Sequence, residues 1–253
     1  MNYAQYPSLR DAAVVVTGGA SGIGAETVRA FAEQGARVGF VDIDAAGGGA
    51  LADKLASAGH TVRFAECDLK DIEALRRSLA ALEAAHGPCG VLVNNAARDD
   101  RHGYAEVSPD YYDERMATNL RHQFFAIQAV APGMIAARKG SIINLGSVSW
   151  WQAMGGMPVY ASAKAAVHGM TRSFARDLGP HRIRVNTVVP GWVMTERQKT
   201  LWATPEGVAA HLERQCIPVE IEPVYLARMI LFLASDDAAM CTAQNFFVDA
   251  GST

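Results

Sequence analysis

In "YASAK" at 160–164, Tyr160 and Lys164 stand four residues apart in a stretch of helical character, so both side chains share one face. A phenol beside an ammonium can become a general base. Tyrosine ionises near pH 10, and lowering that by about three units takes roughly 4 kcal/mol of preferential phenolate stabilisation. Lys164 is one source of it. Ser147 lies 13 residues before Tyr160, just past an apolar run, where parallel sheets place their ligands. A hydroxyl there can hold a reacting oxygen while the tyrosine takes its proton. The same residue types also occur as an exposed helical pair and a turn serine, so the chemistry must be tied to a ligand site.

That site is written in "VVVTGGASGIGAETV" at 14–28, with Gly18, Gly19, Gly22 and Gly24 between an apolar run and a helical one. Gly18 can make the sharp turn, Gly22 lets a pyrophosphate approach the backbone, and Gly24 allows close helix–strand packing. The helix N-terminus then offers N–H groups and a positive dipole end to phosphate. Asp42 closes the second apolar run, 24 residues after Gly18. A carboxylate there binds both ribose hydroxyls of an adenosine and repels a 2′-phosphate, which favours NAD over NADP. An ordinary strand–helix turn and a polar strand cap are the plainer readings of these features.

These groups need a sheet to hold them. Apolar runs rich in Val, Ile and Phe recur as "AAVVVTG", "RVGFVDI", "TVRFAECD", "GVLVNNA", "SIINLGS", "RVNTVVPG" and "NFFVDAG". Between them lie helical patterns such as "AETVRAFAEQG", with Val28, Phe31 and Ala32 on one face and Gly35 at the end. In "IEALRRSLAALEAAHG" the periodic positions are Ile72, Leu75, Leu79 and Leu82, stopped by Gly87-Pro88. The alternation predicts an α/β fold: a single-domain, Rossmann-type doubly wound parallel sheet with helices on both faces. No linker divides residues 1–253. The cofactor half spans about 10–145 and the catalytic and substrate half about 146–253.

Composition removes other classes. Half of the 253 residues are hydrophobic, and the net charge is −3 with a pI near 6.2, which gives no electrostatic pull towards nucleic acid or anionic membranes. No apolar run approaches the roughly 18 residues of a membrane span. The opening "MNYAQYPSLRD" lacks the basic-then-apolar pattern of a secretory signal. The four cysteines, Cys67, Cys89, Cys216 and Cys241, have neither zinc-ligand nor disulfide-framework spacing. The histidines show no metal-ligand spacing either. The reading is a reduced, cytoplasmic protein without a catalytic metal.

The glycine spacing is T-G-x-x-x-G-x-G rather than G-x-G-x-x-G, and with it the chain resembles the short-chain dehydrogenase/reductase superfamily over nearly its whole length. "CDL" at 67–69, "NNAA" at 94–97, Asn119, Ser147, "YASAK" and "PGWVMT" at 190–195 carry the resemblance. It implies that Asp68 and Leu69 flank the adenine, that Asn95, Ala96 and Ala97 border the cofactor, and that Val193 and Thr195 meet the nicotinamide carboxamide. Ser21, Ile23, Ile43 and Pro190 join the implied cofactor contacts. Ala97 stands where many members have glycine. The implied mechanism has Ser147 position a substrate hydroxyl and Tyr160 take its proton as hydride leaves for the nicotinamide. Lys164 binds the nicotinamide ribose and relays the proton, and Asn119 holds a relay water. Asn119 read by itself could also be a buried helix-kink residue. Members usually form tetramers or dimers through the helix carrying Tyr160 and the long helix near 111–138. Ala166, Met170 and Phe174 would form one such stripe.

Longer stretches, "DDRHGYAEVSPDYYDERMATNLRH", "GSVSWWQ", "VPGWVMTERQKTLWATPEG" and "LASDDAAMCTAQNFFVDAG", resemble bacterial aldose 1-dehydrogenases of the D-xylose type. The implied substrate is a sugar oxidised at its C1 hydroxyl. Trp150, Trp151 and Trp192 could pack on a pyranose ring, and Asp99, Arg101, His102 and Gln152 could bind its hydroxyls. The same charged stretch reads equally as a solvated loop. Other outcomes of the resemblance are a dehydrogenase or ketoreductase for a polyol, steroid or 3-oxoacyl substrate, or a non-catalytic NAD sensor.

Overall fold

Consecutive residues of a strand face opposite sides, so a strand buried on both faces needs an unbroken apolar run. The first strand, β1 (Ala13–Thr17), is such a run. Val14 and Val16 enter one core and Val15 the other. The computed structural model describes residues 3–253, so Met1 and Asn2 of the opening stretch lie outside the described residues. Strands β1, β2 (Arg37–Asp42), β3 (Val62–Glu66), β4 (Val91–Asn94), β5 (Gly140–Leu145), β6 (Ile183–Pro190) and β7 (Asn245–Val248) form one parallel sheet. Its order is β3-β2-β1-β4-β5-β6-β7. Each apolar run singled out in the sequence forms one of these strands.

Helices cover both faces. On one, α1 (Gly22–Glu33), α2 (Ala45–Ser57) and α9 (Pro223–Ala234) bury Val28, Phe31, Leu51, Leu226 and Ile230. On the other, α3 (Ile72–His86), α5 (His122–Ala137) and α6 (Pro158–Leu178) bury Leu75, Leu79, Leu82, Ile127 and Val130. Each such large side chain taken out of water contributes roughly 1.5–3 kcal/mol. The α3 helix ends at Gly87, whose φ of +89° lies in the left-handed region where glycine carries no Cβ penalty.

The long helix expected near 111–138 is interrupted. It consists of α4 (Pro109–Met116), a π-helical turn over Ala117–Arg121, and α5. The short helices α7 (Glu196–Leu201) and α8 (Pro205–Leu212) follow β6. Because the strand order reverses between β1 and β4, a crevice opens beyond the C-terminal strand ends. Among the described residues no helix is long and apolar enough to cross a membrane.

Candidate active site

A cleft of about 1770 Å³ occupies that crevice. Gly18, Ser21, Gly22 and Ile23 line one end, with Asp42 and Ile43 from the close of β2 and Asp68 and Leu69 after β3. The glycines fit because of what a Cβ would meet. At Gly18 it would lie 2.7 Å from Ala96 Cα, and at Gly24 it would lie 1.8 Å from the Gly18 carbonyl oxygen. Gly24 therefore packs behind the turn, as the close helix–strand reading requires, and does not line the cleft. The side chains of Asp44, Asp71, Ser108, Thr195 and Thr204 cap α2, α3, α4, α7 and α8. Ser21, at the N-cap of α1, makes no such bond, so no side chain claims that helix's first N–H groups.

Asp42 is held by the turn it faces. Its carboxylate accepts the Ala20 amide hydrogen at 2.9 Å and that of Asp44 at 3.0 Å. Asn95, Ala96 and Ala97 follow β4 along the cleft floor. The Asn95 side chain, however, turns inward and donates to the carbonyls of Thr17 at 3.1 Å and Gly18 at 2.8 Å. It braces the glycine turn. Ala97 is exposed, so its methyl is accommodated at the surface of the floor. Pro190, Val193 and Thr195 also line the cleft.

Ser147, Tyr160 and Lys164 line the same cleft. The Ser147 oxygen accepts the Ser149 amide hydrogen at 3.1 Å. Lys164, fully buried, donates to the Leu145 carbonyl at 2.7 Å, and its ammonium lies 5.7 Å from the Tyr160 ring centre. Asn119 sits behind the floor in the π-helical turn and does not line the cleft. Its side-chain oxygen accepts the Arg98 amide hydrogen at 2.8 Å, while its buried Nδ2 has no partner among the described residues. Next to it, His122 Nε2 donates to the Ala96 carbonyl at 3.1 Å.

In the chain by itself the Tyr160 pKa is raised. Burial pushes the phenol above its ordinary value, the Asp99 charge adds to this, and the Ser147 hydrogen bond and Arg101 pull it back only in part. Burial draws Lys164 down to about 8 against the opposing pull of Asp99. It also draws His122 down to about 4, aided by Lys164, so the imidazole stays neutral.

Of the residues expected to meet substrate, Asp99, Arg101, Gln152 and Trp192 line the cleft. Trp150, Trp151 and His102 do not. Trp150 turns away to donate its indole hydrogen to His168 at 2.9 Å. His102 Nε2 accepts the Val159 amide hydrogen at 3.2 Å in the first turn of α6 and so caps the helix that carries Tyr160. Gln152 donates to the Ser252 carbonyl at 2.8 Å. Sequence reasoning missed Gln198 and Arg197 on α7. Gln198 accepts from the Trp192 indole at 2.9 Å and donates to Asp99 at 2.8 Å, tying α7 across the cleft mouth. Arg197 bonds Asp100 at 2.6 Å. Burial alone would raise the Asp100 carboxyl, but Arg98, Arg115 and Arg197 hold it below the usual carboxylate range. Charged residues of opposite sign on separate loops were the available signal, and their pairing needed the fold.

Comparisons with known proteins agree with this geometry. A family model described as enoyl-(acyl carrier protein) reductase matches residues 18–253. The chain is 47% identical over 251 residues to a D-xylose 1-dehydrogenase of Caulobacter vibrioides, covering 99% of each. It is 48% identical over 248 residues to a probable galactose dehydrogenase of Rhizobium meliloti, covering 98% of this chain and 97% of that one. The crystal structure of gox2181 superposes with a TM-score of 0.92 at 30% identity, covering 97% of this chain and 98% of the other. A metagenomic blue fluorescent protein solved in complex with NADPH gives 0.88 at 34% identity, covering 97% and 99%. Matches of this length, on a sheet of this order, place the chain in the short-chain dehydrogenase/reductase family of nicotinamide-dependent oxidoreductases.

Proposed function

We propose that this oxidoreductase is an NAD-dependent aldose 1-dehydrogenase, converting the C1 hydroxyl of D-xylose or a related pentose or hexose to the aldonolactone. The observation that carries the reading is that Ser147, Tyr160 and Lys164 line one cleft together with an indole, a carboxylate and a guanidinium, from Trp192, Asp99 and Arg101. Its likeness to enzymes named for D-xylose and galactose supports the substrate class.

The residues present fit a dinucleotide. Side chains are excluded at Gly18 and Gly24, the first turn of α1 is uncapped, and Asp42 stands ready for a ribose diol. Gly18, Ser21, Gly22 and Ile23 would hold the pyrophosphate side, Asp42, Ile43, Asp68 and Leu69 the adenosine, and Asn95 to Ala97 the floor. Pro190, Val193 and Thr195 would hold the carboxamide end. A bound oxidised nicotinamide supplies the hydride acceptor that no side chain can provide.

The chain's own residues do the rest. The Ser147 hydroxyl, already accepting from Ser149, donates to and orients the sugar oxygen. Tyr160 removes the proton from that oxygen. Lys164 holds positive charge behind the phenol and passes the proton on. The partnerless Asn119 Nδ2 is suited to hold a relay water beneath the floor. Trp192 gives its face to the sugar, and Asp99 and Arg101 address its hydroxyls.

The enzyme is read as a cytoplasmic homo-oligomer, a tetramer or else a dimer. Ala166 is exposed on α6, and the half-buried Met170 and Phe174 lie along the same stripe, where Phe174 meets the exposed Phe124 with ring centres 5.1 Å apart. Light scattering at micromolar concentration tests this, and a 27.0 kDa particle would refute it.

A panel of aldoses, polyols, steroids and 3-oxoacyl thioesters, each with NAD⁺ and NADP⁺ and read as nicotinamide reduction, tests the function. Aldose oxidation with NAD⁺ supports the proposal. Turnover confined to another class, or none at all, overturns it.

A further inference from the structure

Trp150 belongs to the loop that joins β5 to α6, three residues beyond Ser147. It lies off the cleft, half-buried, with its indole N–H 2.9 Å from His168 Nε2 and the two ring centres 4.8 Å apart in an edge-on arrangement. His168 is 7% exposed and sits one helical turn after Lys164 and two after Tyr160 on α6. The loop can come this close because residue 146 is glycine: a Cβ there would lie 3.0 Å from His168 Nε2 and 2.8 Å from Thr187 Cγ2. An indole can only donate, so Nε2 must carry the lone pair and the ring proton must sit on Nδ1.

We propose that Trp150 and His168 form a clamp that positions Ser147 against Tyr160 for proton transfer. Ser147 and Tyr160 come from different elements, and the Trp150–His168 bond ties the indole segment of the loop to α6. The loop's other ties run elsewhere, from the Val148 amide to the Pro190 carbonyl at 3.2 Å and from Gln152 to Ser252. Trp150 crosses back to α6 itself. Trp151 stacks edge-on against Trp150 at 4.9 Å and against Phe247 of β7 at 5.4 Å, closing the clamp from outside. Burial and the Lys164 charge lower the His168 pKa, against a side-chain bond with Asn245 that raises it. The inference rests on the reading that Ser147 meets the reacting oxygen, and not on which sugar brings it.

The test is a double-mutant cycle in the full-length enzyme, Trp150→Phe and His168→Leu singly and together, with Ser147→Ala as reference. Rates are measured with the best aldose from the panel, and NADH binding by fluorescence. A small misplacement of a reacting group costs up to about a hundredfold, so each single variant is expected to lose about ten- to a hundredfold in kcat. NADH affinity should stay within about twofold. The double variant should be no slower than the worse single one, because both remove one interaction. His168→Gln keeps an acceptor oxygen near Nε2 and should recover most of the rate, which also covers a His168→Leu chain that fails to fold. Near-normal kcat in Trp150→Phe, independent losses that multiply in the double variant, or no recovery in His168→Gln overturns the clamp. So does a raised sugar KM at unchanged kcat in Trp150→Phe, which would put the indole on the substrate. An unimpaired Ser147→Ala enzyme would instead remove the catalytic reading beneath it.

Discussion

The Lys164 ammonium lies 5.7 Å from the centre of the Tyr160 ring, yet its close hydrogen-bond acceptor is the Leu145 carbonyl at 2.7 Å. The lysine is thereby held at a fixed post at the end of β5. Burial and the Asp99 charge keep the phenol protonated in the chain alone. On the proposed reading, Tyr160 becomes the base once cofactor and substrate occupy the cleft. Tyr160→Phe keeps the ring and removes the proton acceptor. It is expected to lower kcat by at least about a hundredfold with NADH binding retained. Near-normal turnover of the purified variant would remove Tyr160 from the mechanism.

A buried ammonium also leaves a mark on stability. Lys164 falls from its ordinary 10.5 to about 8. Between those values the unfolded chain keeps a proton that the folded chain has released, so this group's contribution to stability rises with pH across the window and is lost as pH falls through 8. At neutral pH the charged lysine costs the fold up to about 3 kcal/mol. Lys164→Met should therefore raise the Tm of the cofactor-free enzyme by several degrees at pH 7. The gain should shrink steadily towards pH 10. Thermal scans at stepped pH check this, and a pH-independent difference would contradict it.

Asp42, whose carboxylate is fixed by the Ala20 and Asp44 amides, is the residue proposed to set cofactor choice. At about 4 Å and an effective dielectric near 20, each pair of like unit charges repels by up to roughly 4 kcal/mol. A 2′-phosphate would meet that repulsion with Ser21 and the exposed Ile43 where a basic residue could have answered it. The enzyme should favour NAD⁺ in kcat/KM, and Asp42→Ala with Ile43→Arg should narrow or reverse the preference. Equal use of both cofactors by the unmodified enzyme would mean that Asp42 does not face the ribose.

Gln198 joins the Trp192 indole to the Asp99 carboxylate and so carries α7 across the cleft mouth. Gln198→Leu leaves both groups without their partner and frees the Trp192 ring. The sugar KM is expected to rise by about tenfold, the equivalent of about 1.4 kcal/mol, with little change in the KM for NAD⁺. Steady-state kinetics with each substrate varied in turn would show it. A change in the cofactor KM alone would place the bridge in cofactor binding.

The sheet was legible because a doubly buried strand must be an apolar run, and each run in this sequence became a strand. The glycine turn was legible for a similar reason: the 1.8 Å approach at Gly24 permits no side chain, so the residue type reports the geometry. The cleft wall was not. Trp150, Trp192 and His102 are residue types that serve equally well as ligand contacts, clamps and caps. Which role each takes depends on partners far away in sequence, His168, Gln198 and the first turn of α6. The state of Tyr160 in the chain alone was not legible for a related reason. The residues show Lys164 as a neighbour, but only the fold supplies the burial and the nearby Asp99 that raise the phenol.

The wide turn at Ala117–Arg121 sets the angular phase of everything before it. An α-helix advances about 100° per residue, so a single extra residue held in a π turn offsets the preceding segment by about that angle. In this protein the offset lets α4 direct Glu114 and Arg115 to the cleft rim while α5 keeps Ile127 and Val130 in the core. Straightening the turn into a plain α-helix with every residue kept would rotate the rim charges by about 100° and out of register with Asp100. The core half of the helix would keep its packing. Such a change would separate a correctly folded sheet from a correctly assembled entrance, an outcome that point substitutions on either half cannot produce.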